Sequence, residues 1–155
     1  MRFATYSANG ETYYGAVTDE GMAALSPGFP HWPTLRDVIA ADGLHDLAVA
    51  AKGHPVTHPN GTFTYQIPVP NPEKIICVGV NFPDRNAEYK DGQEAPPNMS
   101  LFIRFPRSFS GQGQPLIRPP ATPQLDYEGE IPIVIGQDGR RLKAENDHYP
   151  TGARP

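Results

Sequence analysis

The chain has 155 residues, enough for one ordinary domain or for a small domain joined to part of another. Its net charge of -4, with no cluster of Lys or Arg, excludes a nucleic-acid surface built on phosphate neutralisation. Its single cysteine, Cys77, excludes an intramolecular disulfide, and no apolar run is long enough for a membrane-spanning helix.

Only 38% of the residues are hydrophobic, while 19 are proline and 15 glycine, which predicts a loop-rich, mostly β fold. The N-terminus has no apolar signal core, so the expectation is a soluble, cytoplasmic protein with no membrane partner.

Residues 2–7 and 12–17 alternate as two strands, and Ala8-Asn9-Gly10-Glu11 between them predicts a hairpin. A turn at Asp19-Glu20-Gly21 leads to a short strand over 22–25. Thr34 with Asp37 three residues on predicts the capped start of a helix that ends near Asp42-Gly43. A second short helix runs from Leu44 to Lys52 and stops at Gly53. Residues 54–73 read as turn and extended chain, ending in a stiff proline connector at 67–72 that sets a domain boundary near residue 70. The five histidines match no ligand spacing and read as surface residues.

Beyond the connector, residues 74–81 form an apolar run suited to a fully buried strand, with Cys77 as a small buried hydrophobe. Residues 82–90 read as a short helix and 90–100 as a loop, followed by strands over 101–104 and 115–118. The stretch 125–136 then sorts by parity: Leu125, Tyr127, Ile131, Ile133 and Ile135 on one face, Asp126, Glu128 and Glu130 on the other. Alternate Cα atoms on a strand lie about 6.6 Å apart, so neighbouring carboxylates can converge on one hard divalent cation. The same pattern also fits an exposed strand edge guarded by acids, with Pro132 at an edge or bulge.

Three of these segments, in this order, resemble the fumarylacetoacetate hydrolase family. They are Lys74-Ile75-Ile76-Cys77-Val78-Gly79-Val80-Asn81-Phe82, Leu101-Phe102-Ile103-Arg104-Phe105-Pro106 with Gly111-Gln112-Gly113, and Gln124-Leu125-Asp126-Tyr127-Glu128-Gly129-Glu130 running to Gly136. The resemblance implies an α+β, mostly β protein: a small N-terminal α/β domain over 1–70, then an incomplete mixed β-roll over 71–142, with an irregular tail at 143–155. It implies Mg²⁺ or Mn²⁺ held by Glu128, Glu130 and a third acid further along, with Asp126 a neighbour of the pair. The substrates it implies are small 2-oxo or diketo acids, cleaved at a C–C bond through a metal-stabilised enolate. Isomerase, hydratase or lyase chemistry through the same enolate is the second reading.

Family members place a His and a Glu, three residues apart, after the Asn-aromatic pair; here those positions hold Arg85 and Glu88. Glu88 is the candidate base. Arg85 stays protonated and cannot act as one, so it is read as a clamp for a substrate carboxylate. Arg104 stands where the family commonly has a Lys, and Arg107 and Ser108 are further candidates for binding the substrate's anionic groups. A homodimer is carried over as an expectation. After residue 141 apolar periodicity disappears, from which a truncated or frameshifted member is expected. The rival from another class is a non-catalytic β fragment that binds metal weakly or pairs with intact subunits through open edges.

Overall fold

A computed structural model describes residues 1–79, 98–125 and 130–141. The fold is mostly β, and its chain separates into two compact units: Met1–Val69 with the described residues from Ser110 onward, and Pro70–Phe109.

The first unit is a five-stranded antiparallel sheet ordered β4-β3-β2-β1-β5. Its strands are β1 (Phe3–Ala8), β2 (Glu11–Val17), β3 (Gly21–Ala24), β4 (His58–Pro59) and β5 (Thr64–Tyr65). The β1–β2 hairpin closes through Asn9 and Gly10, both at positive φ (52° and 82°), with Ala8 paired to Glu11. That two-residue turn matches the twist of the flanking strands, and asparagine and glycine are the residues that tolerate it.

Both sheet faces are covered. Tyr14 and Ala16 of β2, Ala23 of β3 and the following Leu25 face α1 (Leu35–Ala40) and α2 (Leu44–Ala50) through Leu35, Val38 and Leu47. Ala4, Tyr6 and Ala8 of β1 join Met22 and Ala24 on the other face, under Tyr13, Val17, Phe63 and Tyr65. The alternation of β1 and β2 therefore serves two cores at once.

Thr34 and Asp37 form a reciprocal capping box, with Asp37 N–H donating to Thr34 Oγ1 at 3.3 Å and Thr34 N–H to Asp37 Oδ2 at 2.9 Å. Helix α1 ends where Asp42 takes φ 55°; Gly43 N–H then donates to Val38 C=O at 2.8 Å and Asp42 N–H to Ile39 C=O at 3.1 Å. A Cβ on Gly43 would lie 2.5 Å from the Trp32 ring, so the glycine lets the aromatic ring seat against the helix junction.

The expectation of structureless chain over 54–73 is corrected by β4 and β5, which flank the sheet with two residues each. His58 on β4 is not a surface residue. It is 8% exposed, and the Tyr6 hydroxyl meets its Nδ1 at 3.0 Å.

The second unit contains a two-stranded antiparallel ribbon, β6 (Ile76–Gly79) with β7 (Ser100–Ile103), registered Ile76↔Ile103 to Gly79↔Ser100. The fully buried strand expected over 74–81 is not found: Ile76 is 61% exposed and Cys77 only half-buried. A two-stranded ribbon has no second layer of its own, so its apolar pairs stay open to solvent. The strand expected over 115–118 does not form, and Ile117 is 91% exposed. The helix and loop expected over 82–97 lie outside the described residues.

Candidate active site

The acidic stretch is described only in part. Glu128 and Asp126 lie outside the described residues, whereas Glu130 is exposed on irregular chain. The strand expected across 125–136 does not form over residues 130–134, and Ile135 alone makes an isolated β-bridge. The expectation that its apolar parity faces a core is likewise corrected: Leu125, Ile131, Ile133 and Ile135 are all exposed, Ile131 at 92%. A lone strand cannot satisfy its backbone groups or cover an apolar face, and the described residues supply no neighbour that does either.

Among the described residues, no group of three His, Cys, Asp or Glu side chains converges as a metal site, and the Glu130 carboxylate has no hydrogen-bond or ion-pair partner. An unpaired exposed carboxylate is an oxygen donor of the kind Mg²⁺ and Mn²⁺ take. The donor chemistry of Glu130 therefore fits a hard cation.

Arg85 and Glu88 lie outside the described residues. Arg104 follows the end of β7 and is not inside the strand as expected. Its backbone N–H donates to Ile75 C=O at 3.2 Å, which extends the ribbon's pairing by one bond. Its guanidinium carbon lies 5.3 Å from the centre of the Phe102 ring, a cation–π contact that leaves the charged group exposed. Arg107 and Ser108 belong to a 3₁₀ turn, Pro106–Ser108, and both are exposed. The Ser108 hydroxyl and N–H both donate to the Phe105 carbonyl, at 2.7 and 2.9 Å, so both donors are engaged within the turn. Arg104, Arg107 and Ser108 thus share the second unit, while Glu130 belongs to the first.

One positioning residue escapes sequence reasoning. Gln114 accepts the Gly111 N–H at 3.0 Å and donates to Tyr65 C=O at 3.3 Å, tying the Gly111–Gln112–Gly113 turn to β5. Gly113 takes φ 78° in that turn, and the glycine spacing was the one local signal of it.

Residues 74–149 match the profile described as fumarylacetoacetate (FAA) hydrolase C-terminal. The chain is 33% identical over 128 residues to human oxaloacetate tautomerase FAHD2A, a mitochondrial protein, covering 80% of this chain and 40% of that one. It is 35% identical over 99 residues to oxaloacetate tautomerase YisK of Bacillus subtilis, covering 57% of this chain and 33% of that one. The chain thus spans no more than 40% of these curated relatives. The crystal structure of an HpcE protein from Mycobacterium smegmatis shares the fold at TM-score 0.54 and 20% identity, over 75% of this chain and 40% of that one. With the acidic motif and its preceding segments in the family's order, the chain belongs to the fumarylacetoacetate hydrolase family.

Proposed function

We propose that the chain carries part of a divalent-metal-dependent enzyme that interconverts or cleaves small 2-oxo acids, with keto–enol tautomerisation of an oxaloacetate-like acid as the leading reaction. The observation that carries this reading is the identity of 33–35% to two oxaloacetate tautomerases, across a segment that includes the acidic motif. Hydrolytic C–C cleavage of a diketo acid stands second, because both reactions pass through an enolate.

In this reading Glu128 and Glu130 hold Mg²⁺ or Mn²⁺, which when bound supplies a Lewis acid for the developing enolate oxygen. Glu88 takes the proton from the carbon next to the keto group and returns it on oxygen or carbon, as general acid–base catalysis requires. Arg85 and Arg104 bind the substrate's carboxylates, for which a guanidinium offers two parallel N–H donors. Arg107 and Ser108 add polar contacts near the same end of the substrate. The division near residue 70 into an N-terminal domain and a catalytic segment belongs to this proposal, as do a cytoplasmic location and a homodimer. The FAHD2A relative is mitochondrial by name.

A second reading, a non-catalytic fragment, draws on the exposure of Ile131, Ile133 and Ile135. The deciding experiment follows the ultraviolet absorbance of enol-oxaloacetate with the full chain in Mg²⁺ or Mn²⁺. Decay faster than the metal-only control, lost in Glu88→Gln, supports tautomerisation. Decay equal to the control favours the fragment, and release of pyruvate from an acylpyruvate would move C–C hydrolysis to first place.

A further inference from the structure

The open edge of β1 beside Phe3 forms a recess that the oxo-acid reading does not use. Val17 N–H donates to Arg2 C=O at 2.9 Å on one side of β1, and Gln66 N–H donates to Thr5 C=O at 2.9 Å on the other. Backbone groups alternate sides along a strand, so those of Phe3 point the same way as those of Thr5. Extending the register Tyr6↔Tyr65 and Ser7↔Thr64 sets Pro68 opposite Phe3. Proline has no N–H to donate, and the Pro68 carbonyl accepts the Thr5 hydroxyl at 2.7 Å. Among the described residues, the N–H and C=O of Phe3 have no hydrogen-bond partner.

A cavity of about 400 Å³ opens at this edge, with Arg2, Phe3, Val17, Tyr65, Pro68 and Gly111 among its lining. Its Gly111 wall is braced by Gln114 and approaches β5 so closely that a Cβ there would meet the Tyr65 carbonyl at 2.5 Å. The recess therefore combines one unpaired backbone donor and acceptor, apolar walls and one exposed cation, Arg2.

We propose that this edge binds a short extended peptide strand that places an acidic side chain opposite Arg2. The peptide's main chain would pair with Phe3, as in strand addition to an exposed sheet edge. Opposite charges facing each other across strands are favourable, and Arg2 supplies the complementary sign. The space suits two or three residues, which makes the contact weak and selective by charge.

The test uses the full chain and the blocked peptide acetyl-Thr-Val-Glu-Val-Thr-amide, with a second peptide carrying Lys in place of the Glu. Amide NMR signals are followed during titration. The proposal expects shifts concentrated at Phe3, Gln66 and Gly111, with the Glu peptide binding about two- to fivefold more tightly than the Lys peptide. Arg2→Glu, an exposed change, should reverse that preference while the remaining spectrum stays folded. No shift at Phe3, or a preference unchanged in Arg2→Glu, overturns the proposal. Edge-to-edge pairing of two copies, seen as concentration-dependent dimerisation that the peptide does not compete, also overturns it.

Discussion

The Tyr6 hydroxyl and the His58 Nδ1 meet at 3.0 Å across 52 positions of sequence, tying the two-residue strand β4 to the centre of the sheet. Tyr6 is fully buried and His58 nearly so, with the rings of Tyr13 and Phe63 packed around them. Removing the hydroxyl leaves a buried ring nitrogen without its partner. Tyr6→Phe is expected to cost about 1–3 kcal/mol, the penalty for an unsatisfied buried polar group. Urea denaturation of both proteins checks this, and an unchanged midpoint would contradict it.

Burial, reinforced by nearby Tyr13, pushes the Tyr6 phenol up to about 12. The folded state therefore favours the neutral phenol, while the unfolded chain ionises near the ordinary tyrosine value of 10.0. Stability from this group is fully present below pH 10 and is lost as pH rises through about 12. Melting temperature against alkaline pH should fall in that window and fall less steeply in Tyr6→Phe. The opposite ordering would contradict the assignment.

The helical layer over the sheet depends on the Thr34–Asp37 capping box. Thr34→Ala should destabilise the first unit by about 1 kcal/mol, and Thr34→Ser should recover most of it. Equal stability of all three proteins would contradict the role of the cap.

These features were legible because their signals are local. Asn9-Gly10 specifies a turn, Thr34 with Asp37 specifies a helix start, and Gly53 at φ 72° marks the end of the helical layer. The strands β4 and β5 were not legible: two residues each, they exist through pairing with partners far along the chain. His58 was missed for the same reason, since its burial depends on Tyr6. Apolar runs at 74–81 and 131–135 report which side chains favour burial, not whether a surface covers them, so the burial predicted there did not follow. The acidic motif and its preceding segments identify the family, whereas the mutual geometry of Arg85, Glu88, Arg104 and Glu128 is not encoded by spacing.

Arg104 offers a separable test of substrate binding. Arg104→Lys keeps the charge but loses the bidentate guanidinium, so KM for a 2-oxo dicarboxylate should rise about tenfold or more, with kcat less affected. A change confined to kcat would assign Arg104 elsewhere.

The central claim is that Glu128 and Glu130 form a metal centre for oxo acids. Thermal melts of the full chain with and without Mn²⁺ plus oxalate, a chelating mimic of an oxo-acid enolate, test it most directly. Saturating ligand at about a hundred times its Kd stabilises a folded protein by roughly 2.7 kcal/mol. The account predicts a clear rise in Tm that disappears in both Glu128→Gln and Glu130→Gln. A rise that survives in both variants, or no rise in the parent chain, would contradict it.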